Sequence, residues 1–392
     1  MNKTLIKNAI AIAVAGGLSA NAWAVDPQSI RLTDGIIFTP SLAVATKYDD
    51  NFRAVDKGTE STWTTNISPS FQLNADRRKS AYQLAYTASS DTFHSSHKDN
   101  NVDHLLTGDA RFEFNSRNRL ALNAGYSKVE ETASADQNIE NDKSNTKNIG
   151  AIYGFGAQSA RTQLELGTNY KELRYDNSTR IGGVRLNSDK EYDATGFHST
   201  LFYSVAPKTK VLLEGRYTDY DYVSFSDRDS KNKALLTGVT WDATAKTSGT
   251  FKIGREKKSF SSSKYSDKST GMWEAGVTWA PLTYSTFSLD MRRGFDEGED
   301  NASAIKTQNT RLGWKHFWLD RLYSNASYSR TDRKYQDISR EDNLDNYGIS
   351  LTYQARRWLD VGLGYTYADN NSDAKNESYK RNIYALTFNA SL

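Results

Sequence analysis

Charged side chains recur at alternate positions of several segments, where they could contact a hydrated solute. Their segments present one apolar face and one face of small polar residues. Because successive side chains of a strand point to opposite faces, the charged members belong to the polar faces. Both signs occur without a block of either, which favours contact with a polar solute over strong ion selection. These candidates for solute contact are Asp109, Arg111, Glu113, Glu165, Glu214, Arg216, Glu274, Asp290 and Arg292. The alternative for any one of them is that it only solvates and braces a wall.

One pair of residues invites a catalytic interpretation. His198 and Ser199 faintly resemble the His-Ser site of outer-membrane phospholipases. A general base and its nucleophile must share a face, whereas neighbouring strand residues point apart. We therefore expect no enzymatic activity.

Metal-binding patterns are equally weak. His94, His97 and His104 have spacings that match no closed metal site. The acidic run 296–300 could bridge divalent cations at a lipopolysaccharide surface, but its simpler interpretation is a solvated loop. No phosphate-binding or dinucleotide-binding fingerprint is found. We expect neither a metal nor a cofactor.

The first 24 residues have the features of a secretory signal peptide. Lys3 and Lys7 form a basic start, residues 9–17 a short apolar stretch, and Ala22-Trp23-Ala24 a small-x-small cleavage site. A buried N-terminal helix is the alternative. This organisation predicts a signal peptide at 1–24, a periplasmic N-terminal segment at 25–35 and one domain at 36–392.

Composition excludes several classes of protein. The 392 residues include no Cys, which excludes disulfide frameworks and thiolate chemistry. The formal charge of +3 becomes +1 once Lys3 and Lys7 of the leader are set aside, too balanced to indicate a nucleic-acid partner. With 23 Tyr, 16 Phe and 8 Trp, the chain is also unlike a disordered protein.

Beyond the leader, hydrophobicity alternates with a period of two. In 62–75 the residues from Trp63 to Ala75 at odd positions are almost all apolar, and those at even positions are polar. About 18 segments follow this pattern. They are 36–48, 62–75, 81–88, 104–114, 120–126, 149–157, 164–170, 195–205, 211–217, 235–241, 251–255, 273–279, 287–291, 311–318, 322–328, 347–355, 361–367 and 382–392.

The connections between these segments alternate between short and long. Short turns on one side and long polar loops on the other are typical of outer-membrane barrels, as is an even strand number. The pattern therefore predicts an all-β fold, a single transmembrane antiparallel up-and-down β-barrel of about 18 strands. Its partners would be the lipid bilayer and lipopolysaccharide of a Gram-negative cell outer membrane. A secreted β-sandwich is the alternative, but the apolar faces are too numerous for one core. Pro40 and Pro69 would need a bulge shared by the first two strands.

The last residues continue this alternation to the end of the chain. Tyr384, Leu386, Phe388 and Leu392 share one face. The pattern resembles the C-terminal signal read by the outer-membrane assembly machinery, although that signal usually ends in Phe. We expect that machinery to be a partner.

Two parts of the chain carry a family resemblance. Thr39-Pro40-Ser41-Leu42 with 48–52 at the start, and 345–351, 357–363 and 379–382 at the end, resemble the first and closing strands of the putative beta-barrel porin type 2 family. Members are linked with exopolysaccharide and capsule secretion. The resemblance implies an outer-membrane pore for such a polymer, working with a periplasmic polysaccharide-export protein, and it carries over no catalytic residue.

These observations favour a passive conduit that exports an exopolysaccharide or capsular polysaccharide to the biofilm matrix. A general diffusion or sugar-uptake porin shares the fold and stays an alternative. A structural or adhesive barrel, whose outer loops bind a surface partner, is a second alternative.

Overall fold

The computed structural model of the chain describes residues 29–132, 140–244 and 246–391. The proposed signal peptide and Leu392 therefore lie outside the described residues. Three single-turn 3₁₀ helices occupy His97–Asp99, Ser188–Lys190 and Ser226–Arg228. The strands are β1 (Ile30–Thr33), β2 (Ile36–Asp49), β3 (Thr62–Asp76), β4 (Ser80–Phe93), β5 (Asn101–Glu113), β6 (Asn118–Glu131), β7 (Asp142–Phe155), β8 (Thr162–Tyr175), β9 (Arg180–Ile181), β10 (Val184–Arg185), β11 (Tyr192–Ala206), β12 (Thr209–Tyr222), β13 (Ser230–Thr244), β14 (Thr247–Phe260), β15 (Lys268–Leu282), β16 (Ser285–Glu297), β17 (Ala304–Leu319), β18 (Leu322–Tyr335), β19 (Glu341–Arg356), β20 (Leu359–Ser372) and β21 (Tyr379–Ser391).

Eighteen of the described strands, β2–β8 and β11–β21, form one closed antiparallel barrel. Each strand pairs with the next along the chain, and β21 closes the ring by pairing with β2. β1 adds a short hairpin to the start of β2, and β9 and β10 form a small hairpin in one connection. The predicted all-β, up-and-down barrel is confirmed.

The side chains alternate between the two faces of the wall. On β11, Phe197 and Leu201 lie on the outer face, 54% and 45% exposed, whereas His198 and Thr200 point into the lumen with the polar residues. Backbone hydrogen bonds are all made between strands in a closed barrel, so an apolar outer face can lie in lipid. The period-two pattern of the sequence therefore reflects a barrel wall whose outer face contacts lipid and whose inner face contacts water.

Aromatic rings mark the edge of the apolar band. On the outer face, ring centroids lie 5.0 Å apart in Tyr328–Tyr347 and 5.1 Å apart in Tyr365–Tyr384. Amphipathic rings favour the headgroup level of a bilayer. Beyond them the strands continue, so these pairs lie within strands rather than at strand ends.

The strands are longer than the sequence pattern predicts, chiefly on the outer side. β6 runs over Asn118–Glu131 against a prediction of 120–126, and β20 over Leu359–Ser372 against 361–367. Beyond the aromatic rings both faces of a strand meet water or other protein groups, so polarity no longer alternates. The ladder hydrogen bonds continue there regardless of side-chain polarity.

The predicted bulge at the two prolines is wrong. The β2–β3 ladder runs through Pro40 opposite Phe71 and Leu42 opposite Pro69 without a shift in register. On its other edge, Pro40 lies one residue beyond the point where pairing with β21 begins at Ser41. Its missing N–H therefore interrupts no ladder bond to β21.

The described barrel strands leave nine longer connections at one end and eight short turns at the other. This agrees with the alternation in the sequence and defines the outer and periplasmic ends. No helix in the described part of the chain is long and apolar enough to cross a membrane.

The seam between β2 and β21 is reinforced by side chains at the outer end of their ladder. Asp49 accepts a hydrogen bond from Arg381 Nε at 2.7 Å, and it is only 5% exposed. Asp50 accepts from both the backbone N and the Nδ2 of Asn382, each at 2.7 Å. The two stretches that carry the family resemblance thus meet here and fasten the first strand to the last.

Replacing Asp49 with Ala should weaken this seam. The change leaves Arg381 without its carboxylate, and such a loss costs roughly 1–3 kcal/mol. We expect the variant barrel to unfold in detergent at a lower temperature, seen as an earlier loss of its fast migration on unboiled gels. Asp34→Ala is the matched control, because the Asp34 side chain is 97% exposed and its loss should change nothing. Equal melting of the two variants would contradict this role.

Candidate functional site: the lumen and its outer mouth

Strand register places all nine predicted charged residues on the lumen face. Five of them, Glu214, Arg216, Glu274, Asp290 and Arg292, lie on the wall formed by β12–β16. Glu165 is nearby on β8. Asp109, Arg111 and Glu113 project from β5. The structure thus gathers about half of the set and spreads the others around the lumen.

Three of the gathered charges, together with Lys252, form what we name the wall network: Glu214, Arg216, Lys252 and Glu274. Arg216 on β12 donates through Nη1 and Nη2 to both carboxylate oxygens of Glu274 on β15, at 2.5 and 2.8 Å. Its Nε donates to Glu214. Lys252 on β14 donates to Glu214 at 2.8 Å and lies 3.6 Å from Glu274. Two carboxylates and two cations therefore neutralise one another, and this wall presents fixed dipoles rather than a net charge.

The outer end of β16 separates from β15 and leans over the mouth of the barrel, while β17 stays paired with β18 as far as Ile305. The β15–β16 ladder ends at Trp273 opposite Arg293, although β15 continues outward. Past this point β16 remains paired with β17. The backbone N of Phe295 donates instead to the carboxylate of Glu256 on β14, at 2.8 Å. We name residues 294–307 the mouth hairpin.

One side of the mouth hairpin is held by β12–β14. Glu297 accepts hydrogen bonds from Lys258 Nζ at 2.6 Å and from the Tyr222 hydroxyl at 2.8 Å. The carbonyl of Gly298 accepts from Arg228, at 3.2 Å, in the connection between β12 and β13. Lys258 is fully buried and Arg228 is 4% exposed. The hairpin therefore covers this part of the lumen opening.

The other side of the mouth hairpin is held by β18 and the connection that follows it. The Tyr335 hydroxyl donates to Glu299 at 3.2 Å, and Arg340 donates to Asp300 at 2.9 Å. Ile305 packs with Tyr335 in a small buried apolar cluster. The hairpin thus stays attached to β18, its neighbour in the sheet, and its contacts with β12–β14 show that it leans across the mouth.

A third contact holds the hairpin at Ser303. Asp337 accepts from Lys268 at 2.5 Å and from the Ser303 hydroxyl. Burial acts to raise the pKa of the Asp337 carboxyl, but these hydrogen bonds outweigh it and hold the pKa below its usual range. The Lys268–Asp337 pair joins β15 directly to the connection after β18, past the outer ends of β16 and β17.

The predicted solvated loop at 296–300 is wrong. Asp296 pairs with Arg292 at 2.8 Å, and the hydrogen bonds above engage Glu297, Glu299 and Asp300. The acidic run is instead the tip of the mouth hairpin, bound to cationic and hydroxyl groups on several strands. The sequence predicted an exposed loop because a run of acidic residues is usually hydrated. The partners that bind it are distant in sequence and could not be identified from the run itself.

The tip of the hairpin depends on a glycine. A Cβ added to Gly298 would lie 2.1 Å from the carbonyl oxygen of Ala302, well inside contact distance. Asp300 and Asn301 complete the turn with φ values of 50° and 68°, in the left-handed region that Asp and Asn tolerate best among residues with a side chain. The tight turn thus follows from local residue types, although its inward direction does not.

Three tyrosines and two lysines form a packed cluster beside the mouth hairpin, with Tyr192 and Tyr222 only 8% and 6% exposed. We name this cluster the mouth pocket: Tyr192, Tyr220, Tyr222, Lys171 and Lys258. Ring centroids lie 5.5 Å apart in Tyr192–Tyr220 and 5.6 Å apart in Tyr192–Tyr222. Lys258 Nζ lies 4.5 Å from the centre of the Tyr220 ring, and Lys171 donates to the Tyr192 hydroxyl at 3.0 Å. Alternation along β12 could have indicated that Tyr220 and Tyr222 face inward, opposite to Tyr217.

The groups considered for catalysis and metal binding are not assembled. His198 lies over Gly167 on the lumen face, and Ser199 is on the opposite face of β11. Within the described ranges no group of three or more His, Asp or Glu residues is placed to hold a metal ion. The arrangement offers polar and aromatic contacts to a solute.

The predicted assembly signal lies on the lipid face of β21. Tyr384 and Phe388 are 52% and 39% exposed, with Leu386 between them on the same face. Leu392 lies outside the described residues. Recognition of this face by the assembly machinery stays a prediction.

Comparisons with known proteins agree with this architecture. The sequence profile of the family described as putative beta-barrel porin 2 matches residues 27–391. None of the curated proteins matches the chain in sequence.

Among solved structures, Pseudomonas aeruginosa OccK2 (OpdF), in complex with glucuronate, is similar at 11% identity and a TM-score of 0.50, over 91% of this chain and 98% of that one. The siderophore receptor PirA from the same species has 13% identity and a TM-score of 0.45, over 93% and 81%. The FrpB iron transporter of Neisseria meningitidis has 10% identity and 0.47, over 85% and 62%. At 11% identity, the similarity to OccK2 shows the barrel fold alone. The barrel fold and the family match together support an outer-membrane location.

Proposed function

The chain belongs to the putative beta-barrel porin 2 family, and on that premise we propose that it is the outer-membrane pore through which an exopolysaccharide reaches the cell surface. The observation that carries the proposal is the lumen wall. Four of its charges are paired with each other in the wall network, where Arg216 donates to Glu274 at 2.5 and 2.8 Å. A hydrated wall without a strong net field can exchange hydrogen bonds with successive sugar units without trapping any of them.

Transport of this kind needs no catalytic group in the barrel. We propose that the chain is not an enzyme, and that polymer synthesis at the inner membrane drives the polymer outward. A periplasmic polysaccharide-export protein would deliver the polymer to the eight short turns. The mouth hairpin would have to move before the polymer could leave.

The proposal is tested by locating the polymer in a clean deletion strain. We expect polysaccharide to accumulate in the periplasm and to fall at the surface, because the exit is lost while synthesis continues. Complementation with the intact gene should restore surface polymer. Normal surface polymer in the deletion strain, with periplasmic levels unchanged, would contradict export through this barrel.

One observation favours a second candidate, a sugar-uptake porin. The mouth pocket places three tyrosines beside two lysines near the outer opening, and aromatic faces with flanking polar groups suit carbohydrate rings. If the protein is an uptake porin, the deletion strain should grow poorly on a saccharide supplied outside and should trap no polymer in the periplasm. If it is an export pore, the deletion strain should grow normally on that saccharide and should trap polymer.

A further inference from the structure

The mouth pocket is occupied by a carboxylate that belongs to the protein itself. Glu297 Oε1 lies 2.6 Å from Lys258 Nζ and its Oε2 lies 2.8 Å from the Tyr222 hydroxyl. Both partners belong to the barrel wall, whereas Glu297 belongs to the mouth hairpin. The wall therefore carries a built site for one carboxylate, and the hairpin fills it.

The buried cation has no other carboxylate partner within ion-pair distance in the described residues. Lys258 is fully buried and forms its ion pair with Glu297. Glu256, on the same face two residues away, accepts from Asn232 at 3.2 Å and from the Phe295 backbone of the mouth hairpin at 2.8 Å. If the hairpin moves outward, Lys258 loses Glu297 and Glu256 loses Phe295. Lys258 then faces the lumen without its hairpin carboxylate, and the carboxylate of a ligand can take that place.

The surroundings of this anion site are aromatic. The Tyr220 ring lies 4.5 Å from Lys258 Nζ, and Tyr192 packs against both Tyr220 and Tyr222. Lys171 lies 5.4 Å from the centre of the Tyr192 ring and adds a second cation. A ligand suited to this site combines a carboxylate with a ring that can lie on tyrosine faces.

We propose that the mouth pocket binds the uronic-acid units of an acidic saccharide, whose carboxylate takes the place of Glu297 and thereby releases the mouth hairpin. A ligand that binds only the released state shifts the population toward it. This inference rests on the proposed function and adds to it the substrate class, an acidic polysaccharide, and the trigger for opening.

Calorimetry on the full-length protein in detergent tests the proposal, with trigalacturonate as the probe. We expect wild-type protein to bind it, Glu297→Gln to bind roughly tenfold more tightly because the competing carboxylate is gone, and Lys258→Gln to lose binding by at least roughly tenfold. Lys258→Arg should retain binding, which separates loss of charge from loss of fold. Lys257→Gln is the matched control, since Lys257 is 55% exposed and faces away from the lumen.

Two further probes define the chemistry. Maltotriose, which has the rings without the carboxylates, should bind at least roughly tenfold more weakly. Inorganic phosphate should not compete at similar concentrations, because it offers no ring. Equal binding of maltotriose, unchanged binding by Lys258→Gln, or no binding by any variant would overturn the proposal.

The failure of this inference can be distinguished from failure of the proposed function. If the deletion strain traps polymer but trigalacturonate does not bind, the export function stands and the acidic-saccharide site is wrong. If trigalacturonate binds with the expected variant pattern but polymer reaches the surface without the protein, the site stands and the direction of transport is wrong.

Discussion

Removing the tip of the mouth hairpin should raise the single-channel conductance of the purified barrel on the order of threefold, because the lumen of an 18-stranded barrel is otherwise wide enough for water and ions. The change replaces residues 297–302 with a short Gly-Ser link. It deletes Glu297 and Glu299, whose hydrogen bonds to β12, β14 and β18 hold the hairpin across the mouth. The measurement is conductance in planar bilayers.

A deletion elsewhere among the outer connections provides the control. Residues 261–267 join β14 to β15, and their side chains contact Asp227 and Lys257 outside the lumen. Removing residues 262–266 should leave the conductance unchanged. Equal conductance of the wild-type barrel and the hairpin variant would show that the hairpin does not restrict the opening.

Fastening the mouth hairpin to the wall should reduce polymer export to the level of the deletion strain. The chain has no Cys, so two engineered cysteines would be the only thiols. Tyr222→Cys and Glu297→Cys replace two side chains that meet at 2.8 Å, and a reducible bifunctional thiol reagent can join them. Without the reagent, the doubly substituted barrel should still export, because the hairpin is then free to move, and this level is the baseline for the cross-linked barrel.

The matched control joins two residues whose separation should not change. Lys257→Cys and Asp267→Cys also replace a pair at 2.8 Å, on the hairpin of β14 and β15 outside the lumen. Cross-linking this pair should spare export, and reduction of the Tyr222–Glu297 link should restore it. Export that continues through the fastened barrel would mean that the polymer does not pass beneath the hairpin.

The barrel itself was predictable because its physical cause is local. A strand with lipid on one side and water on the other must alternate, and this alternation marked all eighteen strands. It also assigned lumen faces to residues such as Glu214 and Glu274. The segments ended too early where both faces meet water, as in β20 beyond Tyr367.

The mouth was not predictable, because its contacts join residues that are far apart in sequence. Glu297 meets Tyr222 across 75 positions, and Asp49 meets Arg381 across 332. The acidic run 296–300 would have the same sequence whether its carboxylates were hydrated or paired. Its place in the fold therefore cannot be predicted without knowing which residues pair with it. The tyrosines of the mouth pocket lie past the aromatic rings of the lipid boundary, where a sequence pattern based on lipid contact gives no information.

The most direct test is whether the polymer itself can be captured inside the lumen during export. A photo-reactive amino acid would be introduced in living cells at Glu165, which faces the lumen on β8, and separately at Leu166, which faces lipid and is 45% exposed. After irradiation, polysaccharide covalently attached to the barrel should be found with the probe at position 165 and be absent with the probe at position 166. Attachment at neither position, in cells whose surface polymer is abundant, would contradict the account of this barrel as an export pore.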